Sequence, residues 1–189
     1  MWSHRSSSGI TTREALDLYH LDNDLATAFA DGPPTDPEIS KSGNAPIMRL
    51  APLPAFHSTH NPTPTKESTT SLLEQVALSA RATHGSPLSI ENAQLMAVYL
   101  LGLYHSRLQT PQERKEEVLC AGFVAPGLSY EDMHFETTET YEIWATANFK
   151  DLNETTVSTS GFTVDTLQAA LWALWNAQTF EEVSISQTP

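Results

Sequence analysis

Apolar residues recur along this chain at three- and four-residue intervals rather than alternately, and that spacing decides the class of fold. Leu72, Val76 and Ala80 stand at i, i+4 and i+8, and Leu167, Ala170, Leu171 and Leu174 line one face of a later segment. Such spacing places side chains on a single stripe of a helix with 3.6 residues per turn. No run alternates apolar with polar residues for long enough to require a strand. The chain is expected to be all-α.

Start and stop signals divide the helices. Thr11 or Thr12 caps a helix expected to run to about Ala30, with Leu16, Tyr19, Leu25 and Phe29 roughly on one side, and Asp31-Gly-Pro-Pro-Thr-Asp-Pro stops it. Further helices are expected over Ser68–Thr83, from Ser89 to about Leu108, from Pro111 to near Gly122, over Thr138–Asn148 and over Val164–Ala177. Pro111 suits the first helical position, where its missing N–H would have had no partner. Prolines at 52, 54 and 62 argue against a long helix between them, so His57-Ser-Thr-His60 is expected in a solvated loop. Thr179-Phe-Glu-Glu-Val signals another helix, and the chain stops ten residues after Thr179.

Composition excludes several function classes. The net charge is -13, with residues 111–189 contributing -10 and residues 1–110 contributing -3. An acidic chain without a basic patch repels phosphate backbones, so nucleic acid is not an expected partner. Mean hydropathy is -0.29, and no apolar run approaches the ~20 residues of a bilayer span. Cys120 is the only cysteine and is expected to be a small buried residue, with no disulfide framework. The opening Met1-Trp-Ser-His-Arg-Ser carries no apolar signal stretch, and an intracellular, cytoplasmic protein is expected.

Most catalytic motifs fail on spacing. The eight glycines, at 9, 32, 43, 85, 102, 122, 127 and 161, form neither the dinucleotide G-x-G-x-x-G nor the G-x-S-x-G nucleophile elbow. Gly122 and Gly127 have the separation of a phosphate-binding loop, but Leu128 occupies the position of the lysine that must reach the phosphates. His57 and His60 lack a nearby acid to complete a metal set.

Three segments carry a resemblance. Gly43-Asn44-Ala45-Pro46-Ile47-Met48-Arg49-Leu50-Ala51-Pro52-Leu53, then Ala82-Thr83-His84, then Ser160-Gly161-Phe162-Thr163-Val164-Asp165-Thr166-Leu167-Gln168-Ala169-Ala170-Leu171-Trp172-Ala173-Leu174 together resemble the ADP-ribosylglycohydrolase family. Thr11-Thr12-Arg13-Glu14-Ala15-Leu16 upstream fits the same order. The resemblance implies one all-α orthogonal helical bundle over residues 1–189, truncated at both ends. It implies hydrolysis of the glycosidic bond between ADP-ribose and a protein side chain or small acceptor, assisted by two divalent ions, Mg2+ or Mn2+. Two such ions orient the water and the ribose hydroxyls while oxocarbenium-like charge develops.

The family's acidic motifs, Thr-Asp-Asp near the start and Asp-x-Asp-Thr near the end, do not occur here. Asp22-Asn23-Asp24 is the only Asp-x-Asp and stands in the wrong segment order. The chain alone is therefore expected to be inactive, a truncated or degenerate copy without ion ligands. What the resemblance leaves is a substrate side: Gly43, Asn44 and Ala45 in the loop that approaches the phosphates, His84 near the ligand, and Gly161 and Phe162 at the cleft. Ala45 replaces a family glycine, and Pro46 offers no N–H. Each of these residues also suits a structural role: a turn positioning a buried Met48–Leu50 segment, a histidine favourable to a helix C-terminus, a core phenylalanine. Two other expectations are a non-catalytic ADP-ribose-binding module and an acidic helical surface that engages a basic partner. Self-association is expected if Leu167, Leu171 and Leu174 lie uncovered.

Overall fold

The computed structural model describes Thr12, residues 42–158 and residues 160–179. The helix expected up to Ala30, the Asp22-Asn23-Asp24 triplet and the residues after Thr179 that would form the last expected helix fall outside this description. Among the described residues the structure is all-α, as the periodicity requires. Seven helices follow in order: α1 (Ala45–Met48), α2 (Pro52–His60), α3 (Lys66–Arg81), α4 (Pro87–His105), α5 (Pro111–Val118), α6 (Thr138–Thr146) and α7 (Thr163–Asn176). Short 3-10 turns lie at Tyr130–Asp132 and Asn148–Asp151.

Helix α4 touches all six others. Its sequence, Pro-Leu-Ser-Ile-Glu-Asn-Ala-Gln-Leu-Met-Ala-Val-Tyr-Leu-Leu-Gly-Leu-Tyr-His, is apolar nearly all round, which fits an axial helix better than a surface one. Two cores flank it. Leu95 and Tyr99 pack with Val118, Leu119, Ile143, Trp144, Phe149, Leu167 and Leu171, while Ala93, Ala97, Val98 and Leu101 pack with Leu50, Leu72, Val76 and Ala125. The stripe of Leu72, Val76 and Ala80 is buried as its spacing predicts. Leu167 and Leu171 are also fully buried, against α4 and α6. That overturns the expectation of an uncovered α7 face at those two positions; Leu174 is only partly buried.

Helix ends are secured by local and distant partners. Thr110 and Glu113 form a reciprocal capping box around Pro111, the first residue of α5. Lys115, buried on α5, donates to the carbonyl of Ala177 that ends α7. Glu91, buried on α4, accepts from the backbone N–H groups of Glu136 at 2.6 Å and Thr137 at 3.0 Å, and from the Thr137 hydroxyl. A carboxylate from one helix thereby serves the positive end of α6.

Three local expectations are corrected. The His57–His60 stretch is helical, because Pro52 and Pro54 fall in the first turn of α2, where no intrahelical N–H is needed. Cys120 lies beyond the end of α5 and is half-exposed, its S–H donating to the Glu117 carbonyl at 3.2 Å. Met48 is 74% exposed, and only Leu50 of that segment enters the core.

Candidate functional site

The segment before α1 and the segment before α7 are joined by backbone. Gly43 and Phe162 form an antiparallel bridge, the sole β-type pairing among the described residues. Asn44 N–H donates to the Gly161 carbonyl at 3.1 Å, and Thr163 N–H donates to the Ser42 carbonyl at 2.9 Å. Side chains repeat the tie. The Asn44 carboxamide donates to the Thr166 hydroxyl at 2.9 Å, the Ser89 hydroxyl donates to the Gly43 carbonyl at 3.1 Å, and the Ser42 and Ser86 hydroxyls share a 2.7 Å hydrogen bond. The turn is thus held by the N-terminal turns of both α4 and α7.

His84 packs under this turn. It follows the end of α3, its N–H donating to the Ala80 carbonyl at 2.9 Å, and its ring is buried with Nδ1 2.8 Å from the Thr83 hydroxyl. A β-carbon built on Gly43 would meet His84 Nε2 at 2.7 Å, so only glycine lets the strand and the ring approach this closely. Burial, aided by the Arg49 guanidinium, lowers the His84 pKa to about 4. The ring is neutral at pH 7. A charge–dipole role at the α3 C-terminus therefore does not apply, and Arg49 serves there instead, donating to the Ser79 carbonyl at 2.6 Å and the Ala80 carbonyl at 3.3 Å.

Beside the tied turn lies a cleft of about 470 Å³, bounded by α1, α4 and α7 and the loop before α7. Asn44, Ser160, Thr166, Met48, Met96 and Trp172 are among its lining residues, and no charged side chain is. Ser160 is held on the loop by Asp165, which accepts from the hydroxyls of Ser158 at 2.7 Å and Ser160 at 2.5 Å. The Trp172 indole N–H donates to the Leu152 carbonyl at 3.0 Å, which fixes the ring.

Of the six residues expected at a ligand, the structure brings Gly43, Asn44, His84, Gly161 and Phe162 into one cluster, and Ala45 opens α1 beside it. Asn44 alone among them lines the cleft. Phe162 is the N-cap of α7 and half-buried, and Gly161 is exposed. Ser160, Thr166 and Trp172 were not singled out by sequence reading. They share no spacing with Asn44, and only the long-range bridge places them together. The glycine pair at 122 and 127 is accounted for without a ligand: both adopt positive φ, and a β-carbon on Gly127 would stand 2.6 Å from the Thr65 carbonyl oxygen, so backbone already fills that hollow.

Among the described residues no three of His, Cys, Asp and Glu stand together as metal ligands would. These residues do not furnish the carboxylate cage that a pair of Mg2+ or Mn2+ ions requires. Nor is any described helix long and apolar enough to cross a membrane.

Comparison with known proteins follows the same lines. The family model described as ADP-ribosylglycohydrolase matches residues 1–186. ADP-ribosylarginine hydrolase Tri1 of Serratia proteamaculans (strain 568) is 27% identical over 174 residues, covering 92% of this chain and 39% of that relative. The protein of the same name from Pseudomonas putida (strain GB-1) is 29% identical over 143 residues, covering 76% of this chain and 32% of the relative. The chain thus spans less than two fifths of the length of the curated relatives it matches.

Proposed function

Because the chain belongs to the ADP-ribosylglycohydrolase family, we propose that residues 42–179 supply the ligand-facing part of an ADP-ribosyl hydrolase and that this chain alone binds ADP-ribose without cleaving it. The observation that carries this reading is the Gly43–Phe162 bridge with His84 beneath it, which draws the three segments of the resemblance into one place. The relatives' names, ADP-ribosylarginine hydrolase, support ADP-ribosylarginine as the substrate class of the complete reaction.

The chemistry of the cleft favours one end of that ligand. Asn44 N–H is committed to the Gly161 carbonyl, and Pro46 has no N–H, so the turn is a poor cradle for phosphate. The lining has no cation to offset a pyrophosphate. It does offer a tryptophan, two thioethers, two hydroxyls and a carboxamide, a set that suits a neutral aromatic base and its ribose. The adenosine end of ADP-ribose is therefore assigned to this cleft. The missing Thr-Asp-Asp and Asp-x-Asp-Thr motifs support the inactivity, as does the lack, among the described residues, of three His, Cys, Asp or Glu side chains grouped to hold an ion.

Calorimetric titration of the full chain with ADP-ribose and, separately, adenosine tests both parts. Adenosine is expected to compete with ADP-ribose, and Asn44→Ala and Trp172→Ala are each expected to weaken binding about tenfold, near 1.4 kcal/mol. Absence of heat at millimolar ADP-ribose would reject the binding reading. Release of ADP-ribose from an ADP-ribosylated arginine substrate by this chain in Mg2+ would reject the inactivity.

A further inference from the structure

A second cleft, of about 400 Å³, lies across α4 from the first. Gln94 and Val98 stand one turn apart on α4 and line it, whereas Met96, two residues from each and so on the opposite side of the helix, lines the first cleft. Helix α3 supplies the facing wall through Lys66, Thr70, Leu73 and Glu74, and the segment from Leu128 to Phe135 borders both. Phe135 is set in place by Trp144, whose ring centroid lies 5.5 Å away and whose buried indole donates to the Phe123 carbonyl at 2.6 Å.

The charges of this lining do not balance. Lys66 and Asp132 form the sole ion pair among the described residues, 2.5 Å apart, and the other Asp132 oxygen accepts from the Ser129 N–H at 2.9 Å and hydroxyl at 2.8 Å. Those two charges cancel, and their groups are engaged. Glu74 remains, with no ion-pair partner among the described residues. Beside it, the Gln94 carboxamide nitrogen donates to the Leu73 carbonyl at 3.1 Å. A carbonyl can only accept, so this contact fixes the nitrogen there and leaves Oε1 free to accept, next to the residue that carries the unpaired carboxylate. Residues 130–142 add Glu131, Glu136, Glu139 and Glu142 to the surroundings and contain no lysine or arginine. The field over the cleft therefore favours a cation.

We propose that this second cleft binds an arginine side chain presented by a peptide segment, with the guanidinium on Glu74 and the Gln94 carbonyl. Leu73, Val98 and Met133 offer apolar surface to the methylene stem, and Phe135 offers a ring face to the planar cation. Guanidinium brings only donors, which is what two open acceptors require, and it stacks on aromatic rings better than a compact ammonium does. A free amino acid fits less well, because its own carboxylate would meet the acidic surroundings. A peptide carries the same side chain on a neutral backbone.

The full chain, labelled with 15N, is titrated at pH 7.5 and low salt with acetyl-Gly-Arg-Gly-amide and followed by NMR. Saturable shifts are expected at the Gln94 carboxamide and at the Phe135 amide. The citrulline peptide, which keeps the shape of arginine without its charge, and the Glu74→Gln chain are each expected to bind about threefold more weakly, the size of a solvent-exposed ion pair. Glu116→Gln, on the exposed face of α5, is expected to leave affinity unchanged. Glu74 is exposed as well, and circular dichroism verifies that both variants fold. No saturable shift at Gln94 with millimolar peptide, equal affinity for the citrulline peptide, or equal losses in Glu74→Gln and Glu116→Gln would overturn the site. Excess adenosine is expected to leave the shifts in place, so failure here and failure of the adenosine reading are told apart.

Discussion

His84 Nε2 occupies the space that a side chain on Gly43 would need, 2.7 Å from the position of its β-carbon. Gly43→Ala is therefore expected to destabilise the protein by about 1–3 kcal/mol through overpacking. His84→Ala removes the obstacle, so the double variant should lose less than the two single losses combined. Denaturant melts of the four species measure that coupling; strict additivity would show that the ring is not what forbids the methyl group.

The same burial makes stability depend on pH. The folded His84 pKa is about 4, whereas an unfolded histidine titrates near 6.5. Between these values the unfolded state binds a proton that the folded state refuses, so stability falls as pH drops from about 6.5 to about 4 and levels off below. Above about 6.5 the residue contributes no slope. His57 and His105 act in the same direction, so the readout is the difference between the parent chain and His84→Gln. Melting temperatures of the two should converge as the pH falls from 7.5 to 4, and parallel curves would refute the assignment.

Glu91 holds the start of α6 from inside α4. Glu91→Ala strips the acceptor from two backbone donors and a hydroxyl and is expected to cost about 2–4 kcal/mol. Glu91→Gln, which keeps one acceptor oxygen, should cost less. Hydrogen exchange at Glu136 and Thr137 should accelerate in both, more in the alanine variant.

Alanine normally stabilises a helix interior relative to glycine by about 1 kcal/mol. Gly102 on α4 is expected to reverse that sign, because a β-carbon there would stand 2.5 Å from the Phe123 ring and 2.9 Å from Val118 Cγ1. Gly102→Ala should lower the melting temperature, and Phe123→Leu introduced with it should restore part of the loss. A Gly102→Ala protein that melts higher than the parent would disprove the close approach.

Where burial and helical period agree, the chain could be read directly: α3, α4 and α7 follow from the repeats at Leu72/Val76/Ala80, Leu95/Val98/Leu101 and Leu167/Leu171. Helix α2 was missed because Pro52 and Pro54 look like breakers until they are seen to occupy the first turn, where their lack of an N–H is harmless. Glu91 gave no warning, since a carboxylate between Ile90 and Asn92 reads as a solvated position and only the arrival of Glu136 and Thr137 makes its burial tolerable. The cluster around Gly43 was accessible through family likeness, and so was the segment that holds Ser160, Thr166 and Trp172, but no local periodicity marks those three side chains as neighbours of Asn44.

The hydrogen bond from Asn44 to Thr166 spans 122 residues. During synthesis the turn at Gly43 must wait, without its partner, until Thr166 has been made. A nascent chain released or cut before that point contains every residue of α1 to α6 and still has no site. Assembly of the cleft is thus a late event of long-range closure, and the integrity of the chain up to α7 is the condition on which the cleft's formation rests.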